Sequence, residues 1–444
     1  MVEKRLLEQA KTLKPRKIED SLRKALFQKP ICVLLGSRQA GKTSLMFRLI
    51  LHLSEKEQVP PAQIIYLDLE FPQILSQIDG LYGEDFLSFL KARGVNTEED
   101  VFIFIDKVHY LENPSSFLKI LHDHYPNLKL TVSGSSSLAI KHKFKETLTG
   151  RKRIFEINPL DFEEFLEFKG SPLLERKRKL NLKLILEEEV RPDISELRFL
   201  VTDFNKLFEE YIIFGGYPEV TLLDSIEDKI ALLSEIYRSY IRRDIKDFAK
   251  IGNVSAFNNL VELLVHQIGN LVNLSEVCNS LNISRPTVEN YLFLLENTFV
   301  VFLLSPYYTN RRQEIIKSSK VFFHDTGLRN SLCRNFDPTN NRMDKGALFE
   351  NTIWAELHKH LQTLQELHFW RAKSKAEVDF VLKSREVLPI EARYRPFKKM
   401  TIPSGLRSFI KTYQPRVACV ITKDFFGQTR LNSTRIFFIP GWAM

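Results

Sequence analysis

The segment that most constrains this chain is GSRQAGKT, residues 36–43. It stands between the apolar run ICVLL and a stretch with helical apolar spacing at Leu45, Met46, Leu49 and Ile50. A glycine-bounded turn that leaves a strand and opens a helix, closed by Lys-Thr, is a G-x-x-x-x-G-K-[ST] phosphate loop. Its residue types follow from the ligand. Gly36 and Gly41 let the backbone N–H groups close around phosphate oxygens, with Ser37, Arg38, Gln39, Ala40 and Ser44 completing the cradle. Lys42 reaches the β/γ-phosphates, and Thr43 offers its hydroxyl to Mg²⁺. The helix that follows directs its N-terminal dipole at the anion. The strand before and the helix after set this apart from a chance glycine-rich turn. ATP and Mg²⁺ are the expected ligands.

Three more apolar strands follow in the same half. QIIYLDLE ends at Asp68 and Glu70, and VFIFID runs through five apolar residues to Asp106. LKLTVSGSSS ends in Ser133, Ser135 and Ser136. Continuous apolar runs are the pattern of parallel strands buried on both faces, and their alternation with helical segments predicts a doubly wound parallel α/β sheet. At its strand end Asp106 takes the place of a Mg²⁺ ligand, and the serines the place of groups that sense the γ-phosphate. Taken singly, Asp106 also reads as a helix cap and the serines as a polar turn.

A length of 444 residues suggests about three domains. With 44% hydrophobic and 27% charged residues the chain is ordered and globular rather than disordered or fibrous. No apolar run reaches the ~18 residues of a membrane span, and the charged start MVEKRLLEQAKTLKPRKIED lacks the apolar core of a signal peptide. Cys32, Cys278, Cys333 and Cys419 stand apart with no C-x-x-C spacing, as reduced thiols do. A cytoplasmic protein without a membrane partner is the expectation. The charge is uneven: residues 306–444 hold 24 Lys and Arg against 12 Asp and Glu, while the whole chain carries +9. An excess of that kind attracts polyanions, DNA above all, although a merely solvated basic surface gives the same count.

Between the two ends, apolar spacing predicts helices over most of residues 160–250, with FGGYPEV as a sharp bend. NLSEVCNSLNISRPTVENYLFLLENTFVVFLL then reads as a helix-turn-helix followed by apolar strand, the winged-helix plan. Arg285, Thr287 and Asn290 open its second helix, where a DNA reader meets the major groove. Packing between domains is the other reading of the same pattern.

The ordered set of GSRQAGKT, IFID, GSSS, TGRKRIFEINPLDFEEFL, FGGYPEV, YIRRDI, VFFHDTGLRN, GALFEN, AEVDF and LPIEARY resembles the prokaryotic AAA-type ATPases fused to a winged helix and a restriction-endonuclease-like C-terminal domain. The resemblance runs over nearly the whole chain. It implies an AAA-type ATP-binding domain over 1–160, a helical lid or linker over 161–255, a winged helix-turn-helix over 256–305 and a restriction-endonuclease-like α/β domain over 306–444.

Two departures from that family bear on chemistry. The family reads Asp-Glu at the third strand end, the Glu polarising the attacking water; here the pair is Asp106-Lys107. A lysine is no general base at neutral pH unless heavily desolvated, and loss of such a base costs about 10²- to 10⁴-fold in rate. Firm ATP binding with slow or partner-dependent hydrolysis is therefore expected, with Glu70 as the acid most able to substitute. Arg151 in the TGR turn is a candidate arginine finger acting on a neighbour in an oligomer, or else a surface arginine. In the C-terminal domain Glu350, Asp379 and Glu391 fit an acidic Mg²⁺ site, but Glu391-Ala392-Arg393 stands where a nuclease has E-x-K. Arginine binds phosphate yet cannot lose its proton, so binding DNA is easier to reach than cutting it. Three functions follow: a nucleotide-driven switch that changes how the basic modules engage DNA or a protein partner, a non-hydrolysing ATP-binding regulator, and an ATP-gated Mg²⁺-dependent nuclease.

Overall fold

The computed structural model describes residues 4–135, 148–186, 199–241, 245, 253–308 and 318–444. Two compact units divide the chain: residues 1–158 with 239–252 and 297–299 form one, and residues 159–238, 253–296 and 300–444 form the other.

The first unit is built on five parallel strands: β1 (Ile31–Gly36), β2 (Ile64–Asp68), β3 (Val101–Asp106), β4 (Leu128–Ser135) and β5 (Lys152–Glu156), in the order β2-β3-β4-β1-β5. Successive side chains of a strand point to opposite faces, and here both faces are covered. Ile31, Val33 and Leu35 of β1 join Val101, Ile103 and Ile105 of β3 in one core, under the Glu84–Lys91 and Pro114–His124 helices. Cys32 and Leu34 join Phe102 and Phe104 in the other, under the Lys42–Glu55 helix. Each such side chain, fully buried, contributes about 1.5–3 kcal/mol. A uniformly apolar strand is thus what this two-faced burial requires. The register sets Gly36 opposite Ser135 and Asp68 opposite Asp106, so the carboxyl ends of the strands gather at one edge.

The second unit has a two-stranded antiparallel ladder, β6 (Val301–Leu304) with β7 (Lys320–Phe323). It also has a mixed six-stranded sheet made of β8 (Glu366–Arg371), β9 (Glu377–Lys383), β10 (Val387–Arg393), β11 (Val417–Thr422), β12 (Gly427–Leu431) and β13 (Thr434–Pro440), in the order β12-β13-β11-β10-β9-β8. β8, β9 and β10 run antiparallel; β10, β11 and β13 run parallel. One face packs Phe380, Ile390 and Cys419 against Phe349, Ile353 and Trp354 of the Lys345–Lys359 helix. The other packs Val378, Val381 and Val420 against Leu406, Phe409 and Ile410 of the Ser404–Tyr413 helix. Ahead of β6 lie the Leu274–Leu281 and Arg285–Asn297 helices; Asn273 caps the first, and Asn282 ends it at a left-handed φ of 52°. No described helix is long and apolar enough to cross a membrane.

Candidate functional site

At the carboxyl edge of the first sheet, β1 ends in Gly36 because a side chain has no room there: a Cβ would stand 2.0 Å from the carbonyl oxygen of Ile157. The chain then turns through Gln39 (φ 57°) and Gly41 (φ 95°) into the Lys42–Glu55 helix, whose first N–H groups face the loop. Ala40 is fully buried beneath it, and Arg16 fixes the loop from behind, its guanidinium donating to the carbonyls of Ala40 at 3.0 Å and Asn158 at 2.9 Å. Lys42 Nζ donates to the carbonyls of Gly36 at 2.9 Å and Ser37 at 2.7 Å, folded over its own loop. The buried Ser37 hydroxyl has no hydrogen-bond partner among the described residues.

Thr43 Oγ1 donates to Asp106 Oδ2 at 2.6 Å, and the same oxygen accepts Tyr66 OH at 3.3 Å. The other Asp106 oxygen accepts the Ser133 hydroxyl, which in turn accepts the backbone N–H of Lys107 at 3.0 Å. Asp106 is 1% exposed. Burial, then the charges of Asp106 and Asp68, push the Tyr66 phenol far up, so it stays a donor. The paired oxygens of Thr43 and Asp106 are the hard donors a Mg²⁺ ion takes, so the residues fit that ion. Ser133 thus serves Asp106 directly. Ser135 ends β4 beside Gly36; its side chain and all of Ser136 lie outside the described residues, as do Arg242, Arg243 and Asp244 of the YIRRDI segment.

Lys107 has a left-handed backbone (φ 59°) and reaches across the end of β2, where its ammonium pairs with Glu70 Oε2 and, at 3.5 Å, with Asp68 Oδ1. Burial lowers its pKa, but Glu70, Asp68 and Asp106 together more than offset this, so Lys107 is a cation. Ser44 is the third residue of the Lys42–Glu55 helix. Arg151 lies at the surface, its Nε 2.7 Å from Asp123 Oδ1. Sequence reasoning missed two neighbours, Arg16 and His109. Burial, then the charges of Arg38 and Lys42, hold His109 down to about 3, so its imidazole is neutral beside the loop. Neither belongs to a motif.

The second unit gathers the three C-terminal acids. Asp379 on β9 and Glu391 on β10 flank the Phe380–Ile390 pair of the antiparallel ladder, and Glu350 comes from the Lys345–Lys359 helix. Arg393 bridges Asp379 at 3.2 Å and Glu391 at 2.6 Å, while Asp379 also accepts the N–H of Ala392 at 2.9 Å. Glu391 is fully buried, and its Oε1 has no hydrogen-bond partner among the described residues. Burial, then Asp379, push Glu391 well above the carboxylate range and Glu350 up to about 7. The motif search missed Lys320: from β7 its buried ammonium reaches Glu377 at 2.6 Å and Glu350 at 3.1 Å. The VFFHDTGLRN and FGGYPEV segments prove to be bracing. Asp325 accepts the N–H groups of Gly216 and Leu328, Asn330 donates to the carbonyls of Ile212 and Ile213, and Arg329 donates to that of Val265.

Residues 28–166 match the family model of an AAA domain, so the first unit is an AAA-type, phosphate-loop ATPase-like domain. Residues 205–339 and 345–441 match two domains of unknown function, DUF8612 and DUF4143. Among relatives, an uncharacterized protein of Methanocaldococcus jannaschii is 26% identical over 363 residues, covering 80% of this chain and 73% of its own. Another, from Haemophilus influenzae, is 24% identical over 421 residues, covering 93% and 94%. Among solved structures, a Walker-type ATPase of Pyrococcus abyssi aligns over 73% of this chain and 97% of its own, at 15% identity and TM-score 0.46. The Aeropyrum pernix ORC1 protein in complex with DNA aligns over 74% and 96%, at 14% identity and TM-score 0.31. Likeness at that level assigns no ligand or partner to this chain.

Proposed function

We propose that the chain binds ATP with Mg²⁺ at the Gly36–Thr43 loop, hydrolyses it slowly or only with a partner, and uses the nucleotide state to change how its basic C-terminal modules engage DNA or a protein. The observation that carries this is the 2.6 Å bond between Thr43 and Asp106 at the mouth of the loop, with Lys42 folded on the loop carbonyls. Thr43 and Asp106 would hold the ion, which when bound supplies positive charge against the phosphate oxygens. Lys42 moves from the Gly36 and Ser37 carbonyls to the phosphates, and the Ser37 hydroxyl gains an acceptor. With a cation at position 107, proton removal falls to Glu70 or to a partner's group, which supports slow turnover. Arg151 would have to leave Asp123 to act on a neighbour. Calorimetry with Mg-ATP and phosphate release, for wild type and Lys42→Ala, test this reading; binding without turnover favours the non-hydrolysing regulator.

One observation favours a second activity, Mg²⁺-dependent phosphodiester cleavage in the other unit. Glu391 Oε1 is buried without a hydrogen-bond partner among the described residues, and the charges of Asp379 and Glu350 act on that carboxyl. Against it stands Arg393, ion-paired to both Asp379 and Glu391. Plasmid nicking with Mg²⁺, lost in Asp379→Asn and Glu391→Gln, is the test.

A further inference from the structure

We propose that Lys107 is a brake on the site's own base: by pairing with Glu70 it withholds a carboxylate that the chemistry would use. The inference rests on the ATP reading above and concerns how fast that site turns over. Lys107 has little freedom where its side chain starts. Its N–H is bonded to Ser133 Oγ at 3.0 Å, its φ is 59°, and the residue before it, Asp106, is held by Thr43, Tyr66 and Ser133. A turn fixed at that many points aims the side chain across the end of β2. The register sets Asp68 beside Asp106, and the N–H of Glu70 bonds to Asp68 Oδ1 at 3.0 Å, so Glu70 stands two residues past the end of the strand that flanks β3. There the Lys107 ammonium meets Glu70 Oε2 and Asp68 Oδ1 together.

A carboxylate bound to an ammonium is a poorer proton acceptor, because the ion pair stabilises the charged form that must be given up. Freed of Lys107, Glu70 takes a proton from the attacking water as the new oxygen–phosphorus bond forms. The bond to the β,γ-bridging oxygen breaks, and its electron pair leaves on the diphosphate. Held by Lys107, Glu70 is a weak base, and turnover stays low. Lys107 is thus a positioning residue, acting through Glu70 and not on substrate.

The test measures phosphate release at saturating Mg-ATP, with nucleotide affinity and thermal melting measured alongside, for the wild type, Lys107→Met, Lys107→Arg, Glu70→Gln and the Lys107→Met/Glu70→Gln pair. Methionine keeps the stem and drops the charge. Lys107→Met should turn over about tenfold faster or more, up to the roughly 10²- to 10⁴-fold that a general base contributes. Lys107→Arg, which keeps the pair, should stay slow, and the double variant should lose the gain. The rate of Lys107→Met should also fall with pH through the carboxylate range. The brake is overturned if Lys107→Met binds ATP like the wild type yet is no faster, or if its gain survives Glu70→Gln. Wild type that binds no ATP would instead remove the reading on which the brake depends.

Discussion

Asp106→Asn isolates the role of charge at the mouth of the phosphate loop. The carboxylate is buried at 1% exposure and accepts hydroxyls from Thr43 at 2.6 Å, from Tyr66 at 3.3 Å and from Ser133. Asparagine keeps the size and one acceptor oxygen, and the three hydroxyls can turn to suit it. The loss is then the charge assistance, since bonds to charged groups contribute about 1.5–3 kcal/mol against about 1 for neutral ones. Apo stability should fall by about 1–3 kcal/mol, or roughly 2–4 °C in Tm per kcal/mol. The metal part is read separately. A ligand at 100 times its Kd stabilises by about 2.7 kcal/mol, so wild type should melt higher in Mg-ATP than in ATP with EDTA. In Asp106→Asn the two melts should coincide, and Thr43→Ala should behave alike. If Asp106→Asn keeps the full Mg²⁺-dependent increment, the paired oxygens are not the ion's ligands.

Other outcomes follow from the same geometry. Gly36→Ala puts a Cβ 2.0 Å from the Ile157 carbonyl oxygen, and should cost about 3 kcal/mol or more, read as a fall in urea midpoint with loss of ATP binding. His109, held down to about 3 against an ordinary 6.5, stays neutral in the folded chain while the unfolded chain takes up a proton. Stability from this group is therefore complete above pH 6.5 and lost as pH falls toward 3, at up to about 1.4 kcal/mol per pH unit, and His109→Gln should flatten that slope in acid denaturation. Under the second reading, in which Asp379, Glu391 and Glu350 hold a divalent ion, Lys320→Met removes a cation from among them and should tighten Mn²⁺ binding by about tenfold in calorimetry, whereas Asp379→Asn should weaken it; no Mn²⁺ heat from either would sink that reading.

The sequence made the first unit readable because its chemistry is local. Gly36, Gly41, Lys42 and Thr43 stand within one turn, and β3 carries Asp106 at the end of an unbroken apolar run that only two-sided burial explains. Arg16 was not readable, since it reaches the loop from a segment without a motif, and His109 lies just past the IFID strand end, where no pattern marks a histidine. Lys107 was visible as an unusual residue, but its pairing with Glu70 and Asp68 depends on β2 lying next to β3, a sheet-order fact. In the second unit Asp379, Glu391 and Glu350 could be named from their order along the chain. Lys320 could not: an isolated lysine at the start of a short strand looks like any solvated charge, and only the packing of β7 near the acids buries it. The FGGYPEV and VFFHDTGLRN segments carry glycine, aspartate and arginine in patterns that suggest a site, yet these side chains mainly hold backbone groups of their own unit.

Titration of the full chain with Mg-ATP by calorimetry, in wild type and Lys42→Ala, tests the central claim most directly. One equivalent of nucleotide should bind to the wild type, and binding should be lost or weakened at least tenfold in Lys42→Ala. No heat from the wild type at saturating nucleotide, or equal affinity in the variant, would contradict it.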